Sequence, residues 1–382
     1  MKQNPYYAIE IINGVPYLLP FGQSIAEMKH GFKLNETGVF LWEHLEEAES
    51  EEHLLDMLLN DSGLTIDDDQ IISSDLYGFL EILKNAGVIV SEKEYECHEA
   101  TSISIAGIKL TFYCKKEYIP KQFDHFIAID DETSDLAIVI ETGKGGLVSG
   151  ETILIHNNEL NVYEGKAVWH LEFPAFDNIN GVVIDKRFHK ALINIRFEED
   201  LAILRKNLFH VVRHIFLLKA QSLGLFAIHS ASILYRGKAF LFSGPSGTGK
   251  TTHTRLWKDL FGVKDINGDL NLVSDEGRVF GTPWCGTSEI FTNKNYILGG
   301  LIFLKQAKKD TVKLLEDDEK VLRIVKRIVS PIYTKEQLEE NIFFAVNISK
   351  RIPAWRLYCT KNDSAAELMK DTIDGFLNRS IV

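Results

Sequence analysis

Residues 239–261 read AFLFSGPSGTGKTTHTRLWKDLF. The stretch begins with apolar residues that favour a β-strand, continues through a glycine-rich turn and ends in a helical pattern. Its turn, GPSGTGKT at 244–251, matches the phosphate-loop pattern, in which backbone N–H groups and a helix N-terminus face a phosphate. The stretch therefore predicts an α/β domain that binds nucleotide phosphates, although a glycine-rich turn can also cap a helix and bind nothing.

The loop supplies most of the predicted nucleotide site. Lys250 is expected to neutralise the β- and γ-phosphates of ATP, and the Thr251 hydroxyl is expected to ligate Mg²⁺. ATP and Mg²⁺ are therefore the predicted cofactors. The residues expected to bind the nucleotide are Gly244, Ser246, Gly247, Thr248, Gly249, Lys250, Thr251 and Thr252.

Length and composition limit the class of protein. A chain of 382 residues, 45% hydrophobic and 25% charged, is typical of a globular protein with about two or three domains. Its four cysteines form no CxxC pair, which argues against a zinc site or a disulfide framework. The sequence has neither a signal-peptide pattern nor an apolar stretch of membrane-spanning length. We therefore expect a cytoplasmic protein without a membrane partner.

The acidic charge is concentrated at the N-terminal end. Residues 1–90 contain 4 basic and 16 acidic residues, so this segment alone accounts for the chain's net charge of −12. Such a surface repels nucleic acid and favours basic partners. Acidic helices that only keep the domain soluble would explain the same pattern.

The N-terminal segment has the pattern of a small winged-helix-like unit. Asn13-Gly14 between β-rich runs predicts a hairpin. Asn35 is expected to cap a first helix, Ser50 begins a second, and a third is expected at 67–84, ending near Gly87. Two strands and three helices are thus predicted within 1–92, followed by a polar linker at 93–100.

Two further regions follow the linker. Residues 101–200 are expected to be β-rich, and 201–382 to form the α/β core. We expect a helix at 201–223 whose basic residues and histidines, among them Arg213 and His214, lie at a wet edge. Strands are predicted near 102–110, 136–140, 152–155, 167–173, 181–184, 227–235, 239–242, 270–280, 298–304, 342–347 and 354–359. The other helices are predicted near 250–261, 317–329, 335–341 and 364–377.

Motifs on both sides of the loop carry a family resemblance. His229-Ser230-Ala231-Ser232 precedes the loop, and Asn267-Gly268-Asp269 and Gly281-Thr282-Pro283-Trp284 follow it. With them, the segment from 229 to 286 resembles the HPr kinase/phosphorylase and phosphoenolpyruvate carboxykinase group, and more closely the HPr-kinase-like proteins of ribosomal-peptide gene clusters. The resemblance implies a mixed-sheet P-loop kinase core, and it leaves a homo-oligomer open.

A second resemblance covers residues 7–90. It is carried by Asn13-Gly14, Leu34-Asn35-Glu36-Thr37-Gly38, Leu41-Trp42 and Gly87-Val88-Ile89. These pieces resemble the PqqD family, whose small domains recognise the leader segments of precursor peptides. The resemblance implies a precursor or leader peptide, basic or amphipathic, as the partner of the N-terminal domain.

The kinase resemblance also implies residue roles. Asp269 matches the carboxylate that acts near the metal and as the base, His229 matches a histidine near the γ-phosphate and metal, and Lys250 serves catalysis. A histidine at a strand end can also be structural. The family pattern usually pairs two acids where this chain has Gly268-Asp269. The absence of the second acid could weaken metal binding, change which group acts as the base, or leave a protein that binds nucleotide without transferring phosphate.

Three hypotheses about function follow. The main one is an ATP-dependent kinase for a Ser or Thr hydroxyl of a precursor peptide. The others are a nucleotide-gated, non-catalytic peptide-binding module and a kinase of a small metabolite or carrier protein. Trp284 could stack on a ligand or belong to the core, and Asp265 is expected to be a solvated turn residue.

Overall fold

The computed structural model describes residues 2–4, 7–20, 31–48, 50–62, 69–90, 100–128, 133–143, 152–165, 167–196 and 200–379. These residues belong to two compact units. The first comprises Met1–Ser102, Leu110–Ile119 and Ser134–Leu208, and the second comprises Ile103–Lys109, Pro120–Thr133 and Phe209–Val382. The sheets contain both parallel and antiparallel strand pairs, so the fold is mixed α/β.

The N-terminal part of the first unit is a small sheet with three helices. Strands β2, β3 and β4 form an antiparallel sheet in that order, and β1 pairs with β5. The elements are β1 (Lys2–Gln3), β2 (Tyr7–Ile12), β3 (Val15–Pro20), β4 (Phe32–Lys33), α1 (Glu36–His44), α2 (Glu51–Ser62), α3 (Asp69–Asn85) and β5 (Ile89–Val90).

Local signals explain these elements. Asn13 and Gly14 both have positive φ, 53° and 78°, as the tight turn between β2 and β3 requires. The Asn35 side chain accepts a hydrogen bond from the Gly38 N–H at 2.8 Å and caps α1. Ser50 Oγ accepts from the His53 N–H at 3.1 Å at the start of α2. The predicted hairpin and the helix starts at Asn35 and Ser50 are confirmed, while the predicted start of the third helix at 67 lies outside the described residues. Strands β1, β4 and β5 were not predicted.

An eight-stranded sheet occupies the β-rich region. Its strand order is β6-β7-β8-β13-β12-β11-β10-β9, with parallel pairing of β8 to both β7 and β13. The strands are β6 (Ala100–Ile105), β7 (Ile108–Tyr113), β8 (Leu136–Thr142), β9 (Thr152–His156), β10 (Asn161–Glu164), β11 (Val168–Glu172), β12 (Ile179–Asp185) and β13 (Lys190–Ile195). The sequence analysis missed β10 and β13 and merged β6 with β7. Two 3₁₀ segments, Lys116–Tyr118 and Lys121–Phe126, lie between β7 and β8.

Within the first unit, the N-terminal part touches this sheet. Lys190 Nζ donates to Gln3 Oε1 at 2.6 Å, and Arg187 forms an ion pair with Glu43 at 2.9 Å. The predicted linker at 93–100 lies outside the described residues except for Ala100, which begins β6. The predicted domain limits stay a prediction.

The remaining elements form the α/β part. They are α4 (Leu201–Ser222), β14 (Leu225–Tyr235), β15 (Lys238–Ser243), α5 (Lys250–Phe261), β16 (Lys264–Asn267), β17 (Leu270–Ser274), β18 (Arg278–Phe280), β19 (Asn295–Gln306), β20 (Thr311–Leu314), α6 (Asp317–Val325), α7 (Lys335–Arg351), β21 (Ala354–Cys359) and α8 (Asp363–Arg379). A 3₁₀ turn lies at Gly286–Ser288.

The second sheet places the glycine-rich loop at one strand end. β15 pairs antiparallel with β14 and parallel with β19, and β21 is parallel to β19. One face buries Phe242, Trp257 and Met369 together, and the other buries Phe226 and Phe344. Because apolar side chains pack on both faces of the sheet, the end of β15 that precedes the loop is held rigidly.

One predicted element was wrong. The run at 342–347 was expected to be a strand, but α7 continues through it to Arg351. Buried residues recur at helical spacing along α7, namely Gln337, Asn341, Phe344, Ala345 and Ile348. A capping box between Thr334 and Gln337 starts the helix, and packing on the sheet extends it through a locally β-rich segment.

None of the described helices combines the length and the apolar character needed to cross a lipid bilayer.

Candidate functional site

The glycine-rich loop is open where a phosphate would lie. Gly247 and Gly249 have φ of 76° and 102°, a left-handed conformation that favours glycine. A Cβ on Gly247 would project into open space, whereas one on Gly244 would lie 2.6 Å from Thr248 Oγ1. Together with the N-terminus of α5, this backbone forms a cradle that fits a phosphate.

Lys250 lies at the start of α5 and faces the loop. Its Nζ donates to the Gly244 carbonyl at 3.3 Å. Burial lowers the pKa of Lys250, nearby Asp269 opposes that shift, and Arg327 adds to it. Thr251, the predicted metal ligand, is exposed beside it, and Thr252 is half-buried.

His229 and Asp269 are brought together by the sheet. His229 Nε2 lies 3.2 Å from Asp269 Oδ1, and both side chains are about one-third exposed, at 33% and 36%. The hydrogen bond from His229 lowers the pKa of Asp269, the charges of His229, Lys250 and Arg213 lower it further, and burial opposes these effects. The Asp269 carboxylate is therefore held ionised beside the loop lysine.

Backbone hydrogen bonds fix Asp269 on both sides. Its N–H donates to Asn267 Oδ1 at 2.8 Å, and its carbonyl accepts from the Ser230 N–H at 2.9 Å. Asn267 is itself buried and donates to the Thr282 carbonyl at 2.8 Å. The Asn267 side chain thus holds the turn that carries Asp269 in place.

The sequence analysis missed two arginines of this cluster. The His229 N–H donates to the Arg327 carbonyl at 2.9 Å. This hydrogen bond lies beside an isolated antiparallel β-bridge between Ile228 and Ile328, so the backbones of His229 and Arg327 are neighbours. Arg213 acts electrostatically on Asp269. Among the described residues, neither arginine nor Lys250 has a carboxylate partner within 4.0 Å. Lys250 and Arg213 therefore act on the single carboxylate of Asp269, and Arg327 acts on Lys250. This excess of positive charge favours a bound anion.

The predicted wet edge of α4 needs a correction. Arg213 is half-buried, and burial lowers its pKa. His214 contacts the Tyr333 hydroxyl and stacks on its ring at 5.8 Å, and burial lowers its pKa to about 4. Arg213 shares a helical face with Phe209 and Phe216, and a charge on an apolar stripe is the signal that could have identified it.

The structure decides between the two interpretations of Trp284 and corrects the interpretation of Asp265. Trp284 is 2% exposed and packs against Phe209 and Phe216, so of its two interpretations the structure supports the core. The prediction that Asp265 is a solvated turn residue was wrong. It lies in β16 with a side chain only 9% exposed and pairs with Lys258 at 3.5 Å.

The position beside Asp269 has no room for a second acid. A Cβ on Gly268 would lie 1.8 Å from Ser288 Oγ and 2.5 Å from Ser288 Cβ. A side chain at position 268 would therefore require Ser288 to move.

A cleft of about 410 Å³ adjoins the loop. It is lined by Pro245, Ser246, Gly247, Thr248, Leu304, Lys305, Gln306 and Arg356. Gln306 Nε2 donates to the Gly247 carbonyl at 2.9 Å, and Arg356 Nε is buried without a hydrogen-bond partner among the described residues. No acidic side chain lines this cleft, so it also suits an anionic or electron-rich ligand.

The donor set fits Mg²⁺ shared with a phosphate. The described residues contain no group of three or more His, Cys, Asp or Glu that could hold a metal ion alone. Mg²⁺ is commonly held by one or two carboxylates together with substrate phosphates and waters. Thr251 and Asp269 are the residues that would hold it, and this assignment stays a prediction.

Comparison with known proteins identifies one region. Residues 25–89 match the family model described as coenzyme PQQ synthesis protein D (PqqD). The chain therefore carries a PqqD domain in its N-terminal part. A search of curated proteins found none that matches the chain.

Proposed function

We propose that this chain is an ATP- and Mg²⁺-dependent kinase that phosphorylates a Ser or Thr hydroxyl of a precursor peptide. One observation carries the proposal: Lys250 and Arg213, without carboxylate partners in the described chain, act on Asp269 of the His229–Asp269 pair beside the glycine-rich loop, and Arg327 acts on Lys250. A polyphosphate supplies the negative charge that this cluster lacks.

The side chains divide the work of phosphoryl transfer. The loop amides and Lys250 hold the phosphates, and Arg213 and Arg327 offset the charge that develops on the transferred group. Mg²⁺ at Thr251 and Asp269 would supply further charge neutralisation. The cleft beside the loop offers space for the nucleoside.

Asp269 acts as the base of the proposed step. Its carboxylate takes the proton of the acceptor hydroxyl while the hydroxyl oxygen forms a bond to the γ-phosphorus. The bond between that phosphorus and the β–γ bridging oxygen breaks, and ADP leaves. His229, hydrogen-bonded to Asp269, keeps the carboxylate ionised and fixes its orientation.

The PqqD domain supports a place in peptide modification and a peptide as the acceptor. Among the described strands of the small N-terminal sheet, β2 pairs only with β3 and forms one of its two edges. An extended peptide can add there as a further strand, and the acidic charge of residues 1–90 favours a basic or amphipathic one. Tethering then raises the effective concentration of the acceptor at the kinase site.

A mass measurement tests the proposal. Purified protein is incubated with ATP, Mg²⁺ and candidate precursor peptides that contain Ser or Thr, and we expect a peptide that the protein binds to gain one phosphoryl group. Lys250→Ala should abolish both ATP binding and the mass gain, while Lys258→Ala, a lysine of the same helix with a 61% exposed side chain, should retain both. No mass gain with a bound peptide and bound ATP would reject the kinase.

The packing around Gly268 favours one other candidate. A protein that lacks the second acid could bind ATP without turnover and gate the delivery of a peptide to other enzymes. In that case ATP binding would persist, no product would form, and peptide affinity would change between nucleotide-free and ATP-bound protein.

A further inference from the structure

The segment Cys285–Ile290, which we call the clamp, packs against the turn that carries Asp269. Gly286 lies in the left-handed region with φ of 64°, and a Cβ there would lie 3.0 Å from Asp269 Cβ and 3.2 Å from Asp269 Cγ. The clamp backbone therefore touches the side of Asp269, whose carboxylate also meets His229. Movement of the carboxylate is limited from both directions.

A second contact interlocks with the first. Ser288 occupies the space in which a side chain at position 268 would lie. The Cys285 carbonyl borders the same space, because a Cβ on Gly268 would also come within 3.0 Å of it. Ser288 Oγ is satisfied inside the clamp, because it donates to the Cys285 carbonyl at 2.7 Å and accepts from the Ile290 N–H at 3.2 Å. Ser288 thus fills space and does not offer a free hydroxyl for chemistry.

A backbone hydrogen bond joins the two segments at the same place. The Gly268 N–H donates to the Ile290 carbonyl at 3.1 Å. Each segment therefore supplies one glycine at which the other approaches, Gly268 beneath Ser288 and Gly286 beneath Asp269. Two close approaches and one hydrogen bond define a single relative position of clamp and turn.

We propose that the clamp, through Ser288 against Gly268 and Gly286 against Asp269, is the positioning device that aims the single carboxylate of this site. Gly268 is then a requirement of the clamp rather than a lost metal ligand, and Asp269 works without a second acid. The inference rests on the proposed kinase function, and it assigns positioning roles to Gly268, Gly286 and Ser288.

Gly268→Ala is the direct test, because Gly268 is not in the left-handed region and alanine brings no backbone strain there. The added methyl should push Ser288 away and misaim Asp269. A displacement of about 1 Å can cost roughly 100-fold in rate, so we expect a loss of that order in kcat with affinity for metal-free ATP unchanged. Gly268→Ala combined with Ser288→Gly removes the contacts with Ser288 and leaves only the 3.0 Å approach to the Cys285 carbonyl, so much of kcat should return.

A double-mutant cycle separates positioning from general damage. If the clamp acts only through Asp269, adding Gly268→Ala to Asp269→Asn should cause no further loss. A further loss in that background, full activity of Gly268→Ala alone, or no recovery in the combined variant with Ser288→Gly would overturn the proposal.

A second readout does not need phosphoryl transfer. The factor by which Mg²⁺ changes ATP affinity, measured by calorimetry, should fall in Gly268→Ala and recover when Ser288→Gly is added. If Mg²⁺ changes the ATP affinity of the wild type but no phosphate is transferred, the kinase proposal fails. The clamp proposal is then still tested by comparing this Mg²⁺ effect between the wild type, Gly268→Ala and the combined variant. A wild type without either property would overturn both.

Discussion

The imidazole of His229 on β14 lies 3.2 Å from the carboxylate of Asp269, which follows β16. This hydrogen bond is the largest of the influences that lower the pKa of Asp269 below its usual 3.8. The two residues thus form one unit in which a histidine keeps a half-exposed carboxylate charged.

The pair determines how activity depends on pH. The base works only as the carboxylate, so activity is lost as pH falls through the pKa of Asp269. His229→Gln removes the hydrogen bond and the charge that lower this pKa. In the wild type the acid limb of the kcat profile lies below pH 3.8. We expect His229→Gln to move this limb to higher pH, with folding checked by circular dichroism. His156→Gln, at an exposed histidine of β9, should leave the limb in place, and an unmoved limb in the His229 variant would contradict the assignment.

Removal of the base should slow transfer strongly while affinity for metal-free ATP is retained. Asp269→Asn keeps the shape of the side chain, and we expect a reduction of kcat by about 10²–10⁴-fold. Asp265→Asn is the matched control, because Asp265 lies in β16 just before the turn and pairs with Lys258, away from the cluster. Quenched-flow or mass-spectrometric assays measure both variants. Equal activity of the two would remove Asp269 from the mechanism.

Peptide capture should depend on the edge of the small sheet. Ile11 on β2 is 66% exposed, and a glutamate there would remove the apolar contact that the apolar face of an amphipathic strand would make. We expect Ile11→Glu to raise the KM for the peptide at least about tenfold, with kcat and the KM for ATP unchanged.

Ile153→Glu is the control for this change. Ile153 is 61% exposed and lies on β9, the edge strand of the eight-stranded sheet. The same loss in both variants would mean that the added charge, and not the position, weakens peptide binding.

His253 should make the fold less stable in mild acid. It is 2% exposed, neither ring nitrogen has a hydrogen-bond partner among the described residues, and burial lowers its pKa from 6.5 to about 4. Between these values the unfolded chain binds a proton that the folded chain does not, so stability falls as pH falls. The free energy of unfolding should drop by about 2 kcal/mol from pH 7 to pH 5 through this residue.

Urea unfolding of His253→Phe at both pH values measures this contribution. Phenylalanine keeps a ring against Phe242, on which His253 stacks at 6.0 Å. The variant should show the smaller decrease, with a remainder because His214 is held neutral in the same way. An identical decrease in both proteins would show that His253 is not responsible.

Local patterns in the sequence were enough for several elements. The helix at 250–261 has the predicted limits, and the hairpin at Asn13-Gly14 and the cap at Asn35 are where they were expected. Each depends on residues a few positions apart, whose backbone preferences act within one turn or one strand end. The sequence determined these features because their cause is local.

Only the tertiary structure decided the composition of the candidate site. Arg213 from α4 and Arg327 after α6 join Lys250 and the His229–Asp269 pair through pairings between distant strands and helices. The same long-range packing buries Asp265, extends α7 through a β-rich run and fills the space beside Gly268 with Ser288. Spacing along the chain does not encode such contacts, because they depend on which faces of separate elements exclude water together.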